Sequence, residues 1–224
     1  MGDKDYLKRL FDSRHLDEFT FSERKKIFNI FIDKINPRTD ENIIDIGVFC
    51  GSDDPKMNFL ELLYSHPEKI TAVGIEDASF LEDRYKGLKF VKTVPNKPFP
   101  FKDNQFDIGF CSATIEHAGS QKKQEFFLKE AIRVCKRLFL TTPNRFYPVE
   151  FHTRVIFLHW LPAAVFRKMV KSLGLEFYSR EENLNLLSKR KVWDLIPGEY
   201  RKKSRLFYHK LFGLPSNLIL VVEK

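Results

Sequence analysis

Apolar positions along the chain switch between two rhythms. In FTFSERKKIFNIFIDKI they recur at Ile27, Ile30, Phe31 and Ile35, the spacing of an amphipathic helix, and Thr20 and Glu23 stand in capping-box spacing at its start. ENIIDIGV, KITAVGIE, LKFVKTV, QFDIGFCSA and KRLFLTT are short apolar runs that predict five strands, the last ended by Pro143. Between them, SDDPKMNFLELLYSH reads as a helix with an acidic first turn and proline just inside it. SQKKQEFFLKEAIRV reads as another, and PNKPFPFKDN is a loop punctuated by proline. Beyond Asn144 an irregular aromatic stretch, RFYPVEFHTRVIFLHWLP, precedes helices expected from about Ala163 to Leu173 and from about Lys189 to Ile196. RLFYHKLFG and NLILVVEK predict two closing strands.

Strands alternating with helices, most of the strands apolar throughout, predict a doubly wound, mostly parallel α/β sheet covered on both faces. The closing strand is too short to bury itself alone and is expected to pair with that sheet, which makes seven strands. With 224 residues, 43% of them hydrophobic, residues 1–224 read as a single domain: 1–40 a helical cap, 145–200 a lid inserted after strand 5.

Composition narrows the setting. No run approaches the roughly 18 apolar residues of a membrane span, and the start MGDKDYLKRLFDSRH lacks the apolar core of a secretory signal. The cytoplasm, including the inner membrane face, is the expected compartment. Cys50, Cys111 and Cys135 lie in or beside apolar runs without CxxC spacing and read as free thiols. Residues 1–150 carry 24 basic and 24 acidic side chains, so the whole +8 excess belongs to residues 151–224, with 14 and 6. Such a basic third suits an anionic membrane surface, a phosphorylated substrate or nucleic acid, and equally an ordinary solvated surface.

In a doubly wound sheet, ligands sit outside the carboxyl ends of the strands. The first strand ends in Asp45-Ile46-Gly47-Val48-Phe49-Cys50-Gly51 and the second in Glu76, about where a carboxylate meets ribose hydroxyls. GxGxxG is absent, which disfavours a dinucleotide oxidoreductase. These residues, with VGIEDAS, FPFKDNQFDIGFCSATIEHAG and LFLTTPNRFYPVEFHT, resemble the class I S-adenosylmethionine-dependent methyltransferase family from about residue 22 onward.

The resemblance implies the Rossmann-like methyltransferase fold and S-adenosylmethionine as cofactor. It implies that Asp45 and Gly47 meet the methionine end, Gly51 keeps the turn open, Glu76 takes the ribose hydroxyls, Asp77 lies beside the adenosine, and Ser112 and Ala113 line the floor near the methyl group. Two departures stand out. Phe49 replaces the family's middle glycine, so that either the loop takes a different path or the ring shields the cofactor, with weaker affinity expected, and VKTVPNKP offers no acid for adenine, leaving backbone groups around Val94.

For the chemistry, His117 is the candidate base for a hydroxyl acceptor, or else a histidine that fixes the loop. Glu116 is either its neighbour in catalysis or a cap for the following helix. Asn144, Arg145, Tyr147, Glu150 and His152 are candidate acceptor contacts. On an extended segment Glu150 and His152 share a face, but two ligands without a third make no metal site, so none is expected. Ser112-Ala113-Thr114-Ile115 stands where nucleic-acid amino methyltransferases carry Asn/Asp-Pro-Pro-aromatic, and Cys111 follows Phe110 rather than a proline. The expected reaction is therefore O-methylation of a small molecule or a sugar or glycan precursor. The alternatives are a catalytically impaired binding module of the same fold and an RNA-binding methyltransferase using the basic third.

Overall fold

Seven strands form one sheet in the order β3-β2-β1-β4-β5-β7-β6. They are β1 (Ile43–Ile46), β2 (Ile70–Gly74), β3 (Lys89–Lys92), β4 (Phe106–Ser112), β5 (Cys135–Pro143), β6 (Ser204–Leu211) and β7 (Leu214–Glu223). The first five are parallel, while β7 runs antiparallel between β5 and β6. The coordinates are a computed structural model, which describes residues 14–51 and 54–224. From β1 the chain moves outward through β2 and β3, then crosses back to lay β4 against the other side of β1. That reversal falls between β1 and β4, whose carboxyl ends are where such sheets place their ligands.

The all-buried run in β1 follows from helices on both faces. On one face α1 (Arg14–Ile35) and α2 (Phe59–Leu63) bring Phe31, Phe59 and Leu60 onto Ile43, Phe110 and Phe139. On the other, α4 (Gln121–Val134) and α7 (Lys189–Leu195) bring Leu128, Ile132 and Val192 onto Ile44, Leu138 and Leu140. β7 divides its side chains between the two cores, Ile219 and Val221 to the first and Leu218, Leu220 and Val222 to the second, the period of two that pins its register. The segment after β5 has a core of its own: Phe166 and Val170, on α5 (Ala163–Ser172), meet Leu184 and Leu186.

Three sequence expectations change. α1 begins at Arg14, so Thr20 and Glu23 lie inside it rather than at its cap. Glu23 instead accepts hydrogen bonds from Lys26 (2.6 Å) and from His209 of β6 (2.7 Å), and Phe19 stacks on Phe212; docking on the β6–β7 hairpin lets the helix begin upstream of its own local start signal. The long helix expected from residue 52 is a 3-10 turn at Pro55–Met57 followed by the five-residue α2, with Ser52 and Asp53 outside the described residues. Asn58 interrupts it, its side chain engaged elsewhere. Two further helices, α3 (Phe80–Arg84) and α6 (Glu176–Ser179), are too short to show a helical period in sequence. The basic stretch EYRKKSRLFYHKLFG supplies edge strand β6, where Arg205 and Lys210 on an open edge discourage further strand pairing.

Candidate active site

The loop after β1 is fixed by backbone bonds. Gly47 and Val48 both donate to the Val73 carbonyl, at 2.8 and 3.1 Å, tying the turn to β2. Gly47 sits at φ +96°, and a Cβ there would lie 2.2 Å from Thr114 Oγ1, so both backbone angle and space demand glycine. Phe49 is clamped by one side chain: its N–H donates to Asn58 Oδ1 (2.7 Å) and its carbonyl accepts from Asn58 Nδ2 (2.9 Å). Its ring folds over Gly51, whose added Cβ would meet the ring at 2.3 Å. Asn58 was invisible in sequence, a polar residue inside an apparent helix with no motif around it.

Around this loop the strand ends form an open shelf. Gly47, Phe49, Glu76, Asp77, Val94 and Ala113 are all exposed, and Ala113 adopts φ +52°. Glu76 Oε2 accepts from Cys50 Sγ at 3.0 Å, and this bond, reinforced by burial, raises the Cys50 thiol above its ordinary range. Asp77 closes a turn by accepting from Ser79 N–H. Ser112, half-buried, shares a hydroxyl hydrogen bond with Thr141 (3.1 Å). Asp45 points inward instead, buried against Glu61. Burial, then the charge of Glu61, pushes the Asp45 carboxyl well above the usual carboxylate range, and burial raises Glu61 as well. Two carboxylates have no donor between them, and among the described residues neither Glu61 oxygen has a hydrogen-bond partner. A shared proton turns the contact into a hydrogen bond.

Beside the shelf a second cluster forms at the turn after β4. His117 Nδ1 donates to the Asn183 carbonyl at 2.6 Å, leaving Nε2 to face His152 Nε2 at 3.0 Å. Glu150 and His152 meet through a tight turn, not an extended segment: Arg154 N–H bonds back to the Glu150 carbonyl, and Glu150 Oε1 lies 2.8 Å from His152 Nδ1. Burial would raise the Glu150 carboxyl, but its bonds to His152 and Thr153 outweigh that and hold it at about 2. Burial would likewise lower His152, yet Glu150 and Glu116 prevail and raise it. Glu116 does not cap α4. It is fully buried, with Oε2 accepting from Thr142 on β5 (2.9 Å) and Oε1 without a partner among the described residues.

Residues 56–138 match the methyltransferase domain family. That stretch is a little over a third of the chain and is similar to a methyltransferase domain. The matched stretch begins after the Asp45–Gly51 loop and ends in β5. Among solved structures the fold is similar to a protein from Pyrococcus horikoshii (TM-score 0.58, 16% identity, 99% of each chain covered). It is also similar to an S-adenosylmethionine-dependent methyltransferase from Aquifex aeolicus (0.53, 15% identity, 99% of this chain and 98% of that one). A third, titled S-adenosylmethionine-dependent methyltransferases from Methanosarcina mazei, aligns at 0.51 and 17% identity over 86% of this chain and 96% of that one. No curated protein matches in sequence.

The shelf's donor set suits S-adenosylmethionine, the cofactor implied by the methyltransferase match. An exposed carboxylate stands just past β2, where a diol would meet it, and exposed apolar surface at Val94 and Phe49 would suit a flat base, while the turn after β1 is closed by its own bonds and by the Phe49 ring over Gly51. Asp45 faces Glu61, so this pair lies beneath the turn and not on the open surface. The candidate acceptor contacts divide. Asn144 Nδ2 donates to the Pro215 carbonyl while its Oδ1 accepts from Phe146 N–H. Arg145 donates to the carbonyls of His159 and Leu161, and Tyr147 is buried and stacked on Phe151. These three anchor the segment after β5. Of the five, only Glu150 and His152 join His117 and Glu116.

Proposed function

We propose that this methyltransferase acts on a hydroxyl oxygen of a small molecule or a sugar or glycan precursor. When bound, S-adenosylmethionine supplies a methyl group to an acceptor lone pair by in-line displacement. In this reading Glu76 holds the ribose hydroxyls, Val94 and Phe49 flank the base, Asp77 lies beside the adenosine, Ser112 and Ala113 line the floor, and the methionine end reaches the Gly47–Gly51 turn only when the Phe49 ring swings off Gly51.

One observation carries the choice of a hydroxyl: the ordered series Glu150, His152, His117, which ends on partly exposed imidazoles at the turn following Ala113. The Asn183 carbonyl fixes the His117 tautomer, so Nε2 is the atom able to take the acceptor's proton. His152 lies next in line to accept or share it, and Glu150 supports the charge that results. An amine that is already neutral carries its lone pair and needs no such relay, whereas a hydroxyl gains most from losing its proton.

The segment after β5 supports an acceptor met at an anionic membrane surface. Val165, Met169 and Leu173 recur every fourth residue along α5 and all three are exposed, accompanied by exposed Lys168 and Lys171. No helix of the described residues is long and apolar enough to cross a membrane.

The test pairs calorimetric titration of S-adenosylmethionine with turnover on a panel of hydroxyl and amine acceptors. His117→Ala is expected to keep cofactor affinity and lose about 10²–10⁴-fold in turnover on hydroxyls. Unchanged turnover removes the base. Absent cofactor binding in the unsubstituted protein would favour the impaired binding module, and affinity for RNA that falls steeply with salt would favour the nucleic-acid reading.

A further inference from the structure

Three electron-rich atoms converge where the turn after β4 meets the turn after β5. Glu116 Oε1, His117 Nε2 and His152 Nε2 all lie within 4.8 Å of one another. The two nitrogens are 3.0 Å apart, and the carboxylate oxygen is 3.9 Å from His152 Nε2.

The other ring nitrogens set the electronic state of this cluster. A carbonyl oxygen only accepts, so His117 Nδ1, 2.6 Å from Asn183 O, carries its proton and leaves a lone pair on Nε2. His152 Nδ1 faces Glu150 Oε1 in the same way and leaves a lone pair on its own Nε2. With both rings neutral, two lone pairs oppose each other at hydrogen-bond distance, beside a fully buried carboxylate oxygen that has no hydrogen-bond partner among the described residues. A buried, unpaired acceptor is costly. A cation between the three atoms relieves both the repulsion and the orphaned oxygen.

We propose that Glu116, His117 and His152 bind a divalent metal ion of the zinc class. Two imidazoles and one carboxylate are a ligand set that leaves a coordination position open. A zinc ion at its usual bond lengths separates tetrahedral ligand atoms by roughly 3.3 Å, so the two nitrogens need to part by only a few tenths of an ångström and the carboxylate to swing inward. The surrounding bonds are those expected of metal-ligating histidines, each donating its remaining N–H to a carbonyl or carboxylate. Thr142 fixes the second Glu116 oxygen. Glu116 closes the inner side while both imidazoles are partly exposed, which turns the open position outward. Metal binding stands on this geometry alone. Only the further step, that with the ion bound the metal in place of His117 Nε2 receives the acceptor's hydroxyl and eases its deprotonation, rests on the hydroxyl-transfer reading above.

Cobalt(II) is the probe. Chelator-treated protein titrated with cobalt is expected to develop visible ligand-field bands that saturate at a single equivalent and are displaced by zinc. Glu116→Gln, His117→Ala and His152→Ala should each abolish that saturation, Glu150→Gln should weaken binding about 10–100-fold, and His66→Ala, on an exposed histidine elsewhere, should leave it intact. Thermal denaturation with and without zinc guards against misfolded variants: the unsubstituted protein should gain stability and the ligand variants should not. If the unsubstituted protein develops no bands, or if bands persist undiminished in a His117→Ala/His152→Ala double variant, the metal site is refuted and a shared proton is the cation. Cobalt binding together with hydroxyl methylation that ignores chelation would leave the site standing and detach it from the reaction.

Discussion

Replacing Gly51 with alanine sets a methyl group where the Phe49 ring now lies. The new Cβ would fall 2.3 Å from Phe49 Cε1 and 2.6 Å from Cζ, far inside van der Waals contact. Gly51 is not among the glycines at positive φ, so its backbone accepts alanine without strain, and among the described residues the Phe49 ring is the nearest obstacle. Phe49 is 43% exposed, so the ring buries somewhat more than half of its surface. Of the roughly 200 Å² a phenylalanine offers, about 110 Å² is thus at stake, or about 2–3 kcal/mol as an upper bound if the ring is driven wholly into solvent. Its backbone cannot follow, because Asn58 holds both its N–H and its carbonyl. Urea unfolding of Gly51→Ala, Phe49→Ala and the double variant measures this as a coupling energy. Gly51→Ala should cost about 1–3 kcal/mol alone and nothing in the Phe49→Ala background, where reduced unfolded-state entropy leaves a gain of about 0.4–1 kcal/mol. Equal costs in both backgrounds would show that the ring does not occupy this space, and the account of why this turn tolerates a phenylalanine would fail.

Two further outcomes follow from buried groups and from the exposed stripe. Asp45 and Glu61 are both raised above their ordinary range, burial being the first cause, so in the folded protein they keep protons that the unfolded chain has released. Their contribution to stability is therefore fullest below about pH 4 and is lost as pH rises through the raised folded values; urea unfolding across that range should show Glu61→Gln with a flatter dependence, and an unchanged slope would refute the pairing. Vesicle co-sedimentation tests the α5 stripe: the protein should bind anionic vesicles better than neutral ones, Val165→Asp/Met169→Asp should abolish the binding while leaving the fold intact, and equal binding by that variant would exclude this surface.

Periodicity and residue type were enough to locate all seven strands and the helices α4, α5 and α7, because each buries a continuous or regularly spaced apolar face and local spacing records which side is buried. They also placed Gly47, which serves a backbone angle, and Glu76, which closes a strand, since both needs are local. Elements governed by distant partners were not legible. α1 runs through its apparent cap because Glu23 meets His209 far along the chain, and the helix after Gly51 breaks because Asn58 turns back to Phe49.

The candidate chemistry divides the same way. His117 and Glu116 were visible as neighbours and Glu150 and His152 as another pair, but no spacing rule relates residue 117 to residue 152. Parallel pairing of β4 with β5 sets the turns that follow them side by side, and the turn from Glu150 to Arg154 rotates His152 onto His117. Sequence alone thus determined which groups were present and the sheet that displays them. Only the tertiary structure decided that three of them share one point in space, because convergence depends on strand order and turn geometry, and neither leaves a periodic trace in the chain.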